Sequence, residues 1–170
     1  MSLPAARIVP VVPLTREAFR PFGDVLDASG PPDDVANQGA ALVFRDRAEV
    51  DVAADHGRLS VNLVRTQPTP LPLLIERMER HPLGSQAFSP LSGHPWLAIV
   101  APAGDLDPEA IVAIHVRSDQ GLNYRRGVWH HPLIALGGAS DFLVIERAGE
   151  GVNLEIETLA RPLLIADLGS

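Results

Sequence analysis

Glu79-Arg80-His81-Pro82-Leu83-Gly84-Ser85-Gln86, followed at position 93 by a glycine, sets the reading of the chain. In an extended strand alternate side chains share a face, so Glu79 and His81 project into one space while Arg80 points away. Pro82 and Gly84 turn the chain, and Gln86 and Phe88 open a returning strand that can face the same space. The pattern predicts a carboxylate, an imidazole and an amide converging from two strands; the plain alternative is a polar strand end in water.

Outward from this stretch the chain reads as short strands separated by turns. Prolines at 68, 70 and 72 force an extended entry into Leu73, and the dense apolar residues at 73–75 predict burial on both faces. Upstream, Leu59, Val61 and Leu63 alternate with Ser60 and Asn62, which predicts a half-buried strand running to Arg65 with its apolar face on the core. Downstream, strands are expected at 87–91, 97–101, 111–116, 133–136, 142–146 and 154–158, each flanked by Gly, Pro, Asp or Asn. Thr15 can cap a short helix that Pro21 and Gly23 would end, and Asp107-Pro108-Glu109-Ala110 can make one helical turn.

Length and composition narrow the chemistry. At 170 residues the chain fits a single domain, 1–170, and 16 prolines and 14 glycines favour many short strands over long helices. A net charge of −7 without a basic run argues against nucleic acid as a partner. All 14 basic residues are arginine, and there is no cysteine, so Schiff-base lysines, thiolate nucleophiles, disulfides and Cys-ligated zinc are excluded. Residues 1–13 carry an apolar patch from Ile8 to Val12 but no basic leader, and no segment reaches the ~20 apolar residues of a membrane span. A soluble, cytoplasmic protein is expected.

A second concentration of unusual residues is Gly121-Leu-Asn-Tyr124-Arg-Arg126-Gly127-Val-Trp-His130-His131-Pro132. His130 and His131 would face opposite sides of an extended strand, and the plain alternative is that one ring packs on Trp129 while the other bonds backbone. His56, His94 and His115 lack comparable neighbours and read as surface or structural residues.

The two stretches together resemble the paired metal-binding motifs of cupins. The first has the spacing His-x-His, four residues, Glu, six residues, Gly, here written Glu79-x-His81, Gln86 and Gly93; the second, Gly-x-x-His, is matched by Gly127 and His130. More specifically, Glu79-Arg-His-Pro-Leu-Gly-Ser-Gln-Ala-Phe-Ser-Pro90 and Asn123-Tyr-Arg-Arg-Gly-Val-Trp-His-His-Pro-Leu133 look like the signatures of the ureidoglycolate lyase family. The likeness extends to Leu14–Gly23, Arg65-Thr-Gln-Pro68 and Asp141-Phe-Leu-Val-Ile-Glu-Arg147. The resemblance implies a mainly β, cupin-like double-stranded β-helix or jelly-roll barrel with a few short helices. It also implies a homodimer that cleaves ureidoglycolate to glyoxylate and urea in purine and allantoin degradation.

On that reading the reaction is an elimination from a hemiaminal, needing a base for the hydroxyl proton and an acid for the departing nitrogen. His81, His130 and Glu79 are the expected catalytic groups. Arg65, Arg80 or Arg126 would hold the substrate carboxylate, and Gln86 or Tyr124 the ureido group. A divalent metal, nickel, manganese or zinc, on His81, His130, Glu79 and Gln86 is the alternative way to polarise the hydroxyl. Two further readings share the barrel: a metal-dependent cupin isomerase or dioxygenase acting on a small hydroxy acid, and a non-catalytic small-ligand-binding cupin.

Overall fold

Frequent turn residues cut the chain into fifteen strands in the computed structural model, which describes residues 6–169. In order they are β1 (Arg7–Ile8), β2 (Val11–Pro13), β3 (Gly23–Leu26), β4 (Asp34–Ala36), β5 (Ala41–Val43), β6 (Arg58–Thr66), β7 (Leu73–Arg80) and β8 (Gln86–Pro90). Then come β9 (Trp96–Ala101), β10 (Val112–Val116), β11 (Gly121–Tyr124), β12 (Trp129–His130), β13 (Ile134–Ala135), β14 (Ser140–Ala148) and β15 (Glu155–Ile165). Among the described residues there is one short α-helix, α1 (Arg16–Phe19), capped by the Thr15 hydroxyl, which accepts from the Ala18 amide at 3.1 Å. Pro108–Ala110 forms the expected helical turn. The sequence reading of the first five residues lies outside the described ones.

The strands form two main sheets. One runs β1-β15-β7-β12-β9-β10-β2, with β13 also on β9; the other runs β3-β11-β8-β14-β6 and is antiparallel throughout. Trp96, Ala98 and Val100 on one face of β9 pack with Phe88, Leu122, Phe142 and Val144 of the second sheet. Leu97, Ile99 and Ala101 on its other face join a separate cluster with Ile75, Met78, Trp129 and Leu163. β9 is thus buried on both sides, which is why its six residues are continuously apolar. The result is the expected mainly β architecture, two sheets packed face to face. Among the described residues no helix is long and apolar enough to cross a membrane.

Two expectations are reversed. Leu59, Val61 and Leu63 do not face the core: they are 52%, 59% and 72% exposed, and it is Ser60 and Asn62 that turn inward. Alternation identifies two faces without saying which is covered, and here the space between the sheets is polar at this end. Leu74 is likewise 52% exposed, so the apolar run at 73–75 is buried on one face only.

Candidate active site

The register of the two sheets assembles the site. In the first sheet Val100, His130, Glu79 and Ile156 lie side by side across β9, β12, β7 and β15. In the second, Ser60, Glu146, Gln86 and Tyr124 form the corresponding row across β6, β14, β8 and β11. The rows meet where the Tyr124 ring stacks on His130, with centroids 4.5 Å apart and planes 16° from parallel. His81, just beyond the end of β7, completes the group with its ring 5.2 Å from that of His130. The glycines of both half-motifs sit in left-handed turns, Gly93 at φ +72° and Gly127 at φ +75°. The Gly127 amide donates to the His81 carbonyl at 2.9 Å, which ties the two stretches together.

Backbone carbonyls fix both imidazoles. His81 Nδ1 lies 2.6 Å from the Asn153 carbonyl and His130 Nδ1 lies 3.1 Å from that of Val128, so each ring donates from Nδ1 and, in its neutral form, leaves the Nε2 lone pair free. Both Nε2 atoms are buried without a hydrogen-bond partner. Glu79 Oε1 is 3.7 Å from His130 Nε2, and one donor atom from each of Glu79, His81 and His130 lies within 4.8 Å of the others. Two imidazole nitrogens held by outer hydrogen bonds, beside a carboxylate, suit a divalent metal ion, and this cluster could bind one.

Burial sets the protonation states. It pushes His130 down to about 3, with the neighbouring His81 adding to the effect, so His130 is neutral at ordinary pH. The same desolvation raises Glu79, opposed by His81 and by Arg77. Tyr124 is raised far above its usual range, again by burial, and stays a neutral hydroxyl.

Gln86 joins the group from the opposite sheet. Its Nε2 donates to Glu146 Oε2 at 2.7 Å, while its Oε1 is buried and accepts nothing. The arginines behave differently from one another. Arg65 lies on the outer face of the second sheet, paired through two hydrogen bonds of 2.6 and 2.8 Å with Asp141, so the structure does not bring it to the cluster. Arg80 points away as expected, stacking over Trp129 at 4.5 Å and bonding Glu155 at 2.6 Å. Arg126, next to Gly127, pairs with Asp51 at 2.7 Å beside a cavity of about 260 Å³ that Glu49, Ser85 and Arg125 also line. His131 faces the other side of the strand from His130, bonded to the Pro132 carbonyl and lowered by burial.

Several participants escaped the sequence reading. Asn153 holds His81 through its carbonyl and the Leu83 amide through its side chain, at 2.8 Å. Asp51 receives Arg126 and exchanges hydrogen bonds with Ser85. Glu146 and Asn62 carry the only usable signal, because each is a polar residue among apolar ones in a strand.

The family model of ureidoglycolate lyase matches residues 6–166. A ureidoglycolate lyase of Burkholderia mallei (strain NCTC 10229) is 51% identical over 157 residues, which is 92% of this chain and 92% of that protein. One from Rhizobium etli (strain CIAT 652) is 46% identical over 93% of this chain and 95% of its own. RmlC from Streptococcus suis, solved in complex with dTDP-D-xylose, is similar over 56% of this chain and 46% of that chain, with a TM-score of 0.43 and 11% identity. With two full-length relatives well above the identity at which unrelated chains coincide, and a family model spanning both signature stretches, the chain belongs to the ureidoglycolate lyase family.

Proposed function

We propose that the chain cleaves ureidoglycolate to glyoxylate and urea, as a carbon–nitrogen lyase of cytoplasmic purine and allantoin degradation, at the centre formed by Glu79, His81 and His130. Family membership supplies the reaction. The observation that carries its placement is the pair of buried, unpartnered Nε2 atoms beside the Glu79 carboxylate.

The substrate carbon bears a hydroxyl, a carboxylate and the nitrogen of urea. His81 Nε2 takes the hydroxyl proton, the oxygen's electron pair closes the carbonyl of glyoxylate, and the carbon–nitrogen bond breaks. Glu79, raised by burial, gives the departing nitrogen its proton. His130 is too weak a base to compete for that proton and instead accepts a hydrogen bond through Nε2, its ring held flat against Tyr124. With products gone, the proton on His81 returns to Glu79 across the cluster. Arg126 exchanges Asp51 for the substrate carboxylate, while Gln86 and Tyr124 meet the ureido group.

The same donors fit a divalent cation: Glu79, His81 and His130 would hold nickel, manganese or zinc with Gln86 Oε1 as a further oxygen, and the ion would supply Lewis-acid polarisation of the substrate hydroxyl.

A homodimer is part of this reading. β6 is the free edge of its sheet, and its outward stripe of Leu59, Val61 and Leu63 is apolar and exposed. Such an edge is prone to pair with another chain, and a second copy covering it removes both the bare backbone and the apolar surface.

Racemic ureidoglycolate incubated with the purified protein tests the reaction, with urea, ammonia and glyoxylate quantified together against spontaneous breakdown. Urea and glyoxylate should appear in equal amounts, without ammonia. Ammonia in place of urea, or no acceleration, would contradict the reading.

A further inference from the structure

Behind Gln86 lies a hydrogen-bonded relay that the reaction as described does not use. Gln86 Nε2 donates to Glu146 Oε2 at 2.7 Å, Asn62 Nδ2 donates to Glu146 Oε1 at 2.8 Å, and the Ser60 hydroxyl donates to Asn62 Oδ1 at 3.3 Å. These side chains line the inner face of β8, β14 and β6, opposite the histidine-bearing sheet. A carboxylate is an acceptor only, so it draws the amide nitrogens of both Gln86 and Asn62 towards itself. The consequence for Gln86 is an amide that cannot turn over. Its Nε2 is occupied, and its Oε1, buried and unpartnered, is the end left for a ligand.

We propose that Glu146, supported by Asn62, is a positioning residue that locks the Gln86 amide with its carbonyl towards the substrate, making this position a reader of N–H donors. The inference rests on the lyase reading and deepens it by assigning the ureido end of the substrate to Gln86. An unsubstituted ureido group offers N–H donors there. An analogue with an ester or carboxylate at that end offers only acceptors, and would set oxygen against oxygen in a site where Gln86 has no freedom to flip. Without Glu146 the amide rotates, and the preference for a donor is lost.

The two products separate the ends of the substrate, because urea carries only the donor end and glyoxylate only the carboxylate end. Product inhibition by each would be measured for the parent protein, Glu146→Leu, Glu146→Gln, Gln86→Leu and the Glu146→Leu/Gln86→Leu double variant, with thermal melting to confirm folding. Glu146→Leu should weaken inhibition by urea about tenfold, the size of one well-placed hydrogen bond, and leave inhibition by glyoxylate within about twofold. Glu146→Gln, which offers one acceptor to two amide donors, should give an intermediate loss. In the Gln86→Leu background Glu146→Leu should add nothing, because it acts through that amide. If Glu146→Leu does not fold, Asn62→Leu frees the same carboxylate and is read in the same way, with a smaller loss expected.

Unchanged urea inhibition in folded Glu146→Leu overturns the proposal, as does an equal loss for glyoxylate or an additive effect in the double variant. A parent protein that does not cleave ureidoglycolate defeats the lyase reading itself. An active parent whose Glu146 variants keep full urea inhibition defeats the positioning role alone.

Discussion

Strands β7 and β6 share a pattern and differ in what covers it. Both turn polar side chains towards the space between the sheets, Glu79 on β7 and Ser60 and Asn62 on β6, and both place apolar ones on the outer face, Met78 beside Arg80 on β7 and Leu59, Val61 and Leu63 on β6. Behind β7 the outward Met78 is fully buried in the cluster formed with Trp129 and Leu163. Behind β6 nothing in the chain covers Leu59, Val61 and Leu63 among the described residues. An outward apolar side chain is therefore core at Met78 and open surface along β6. The polar face marks where the chemistry is gathered in both.

The sharpest contrast concerns the inner faces. Glu79→Gln removes a group placed to move a proton, and kcat/KM for ureidoglycolate should fall about 100-fold or more, the usual worth of a general acid. The outer faces separate next. Met78→Ala should destabilise the protein by about 2–5 kcal/mol in a denaturant titration, because the space it leaves is fully enclosed. A loss below about 1 kcal/mol would mean that the cluster behind β7 is not packed as described.

The buried imidazole opposite Glu79 gives a pH signature. His130 is held at about 3, against 6.5 for an ordinary histidine, so below pH 6.5 the unfolded chain takes up a proton that the folded one refuses. That group costs stability progressively as pH falls from 6.5 towards 3, by about 2 kcal/mol at about pH 5. Glu79 works in the opposite sense, since its raised value means that protonation at low pH relieves a burial cost. Melting temperature should thus drop less between about pH 7 and pH 5 in His130→Gln than in the parent. Equal slopes would show that His130 titrates normally.

The proposed dimer is tested on the bare stripe: Leu63→Glu should shift it towards monomer in sedimentation, raising the dissociation constant at least about tenfold while the isolated fold keeps its stability. A dimer of unchanged affinity would place the interface elsewhere. Arg65→Ala, on the same outer face, should be the mildest change: turnover within about twofold and a melting temperature indistinguishable from the parent's, as befits an exposed ion pair.

The histidine-bearing end of the fold was legible because its signals are local. Residues two apart on a strand share a face whatever the tertiary context, which placed Glu79 with His81, turned Arg80 away and set His130 against His131. The cap at Thr15 and the turn at Pro108 are equally local. The orientation of β6 was not legible, since alternation gives two faces and only the neighbouring sheet decides which is inside. Arg65 was misplaced for the same reason: it follows Leu63 onto the outer face, where Asp141 is its register partner. Glu146, Asn153 and Asp51 are separated from the motif by 60, 72 and 34 residues from the groups they hold, and no spacing rule links them.

The central claim is that two histidines from different strands, each with a bare Nε2, form one reacting centre with Glu79. Glyoxylate release by His81→Ala and His130→Ala, measured on protein shown by melting and circular dichroism to be folded, tests it most directly. His81→Ala, which removes the base, should lose about 100-fold or more of the parent's kcat/KM, and His130→Ala, which removes a hydrogen-bond acceptor, about tenfold. Two folded variants with undiminished turnover would contradict the account.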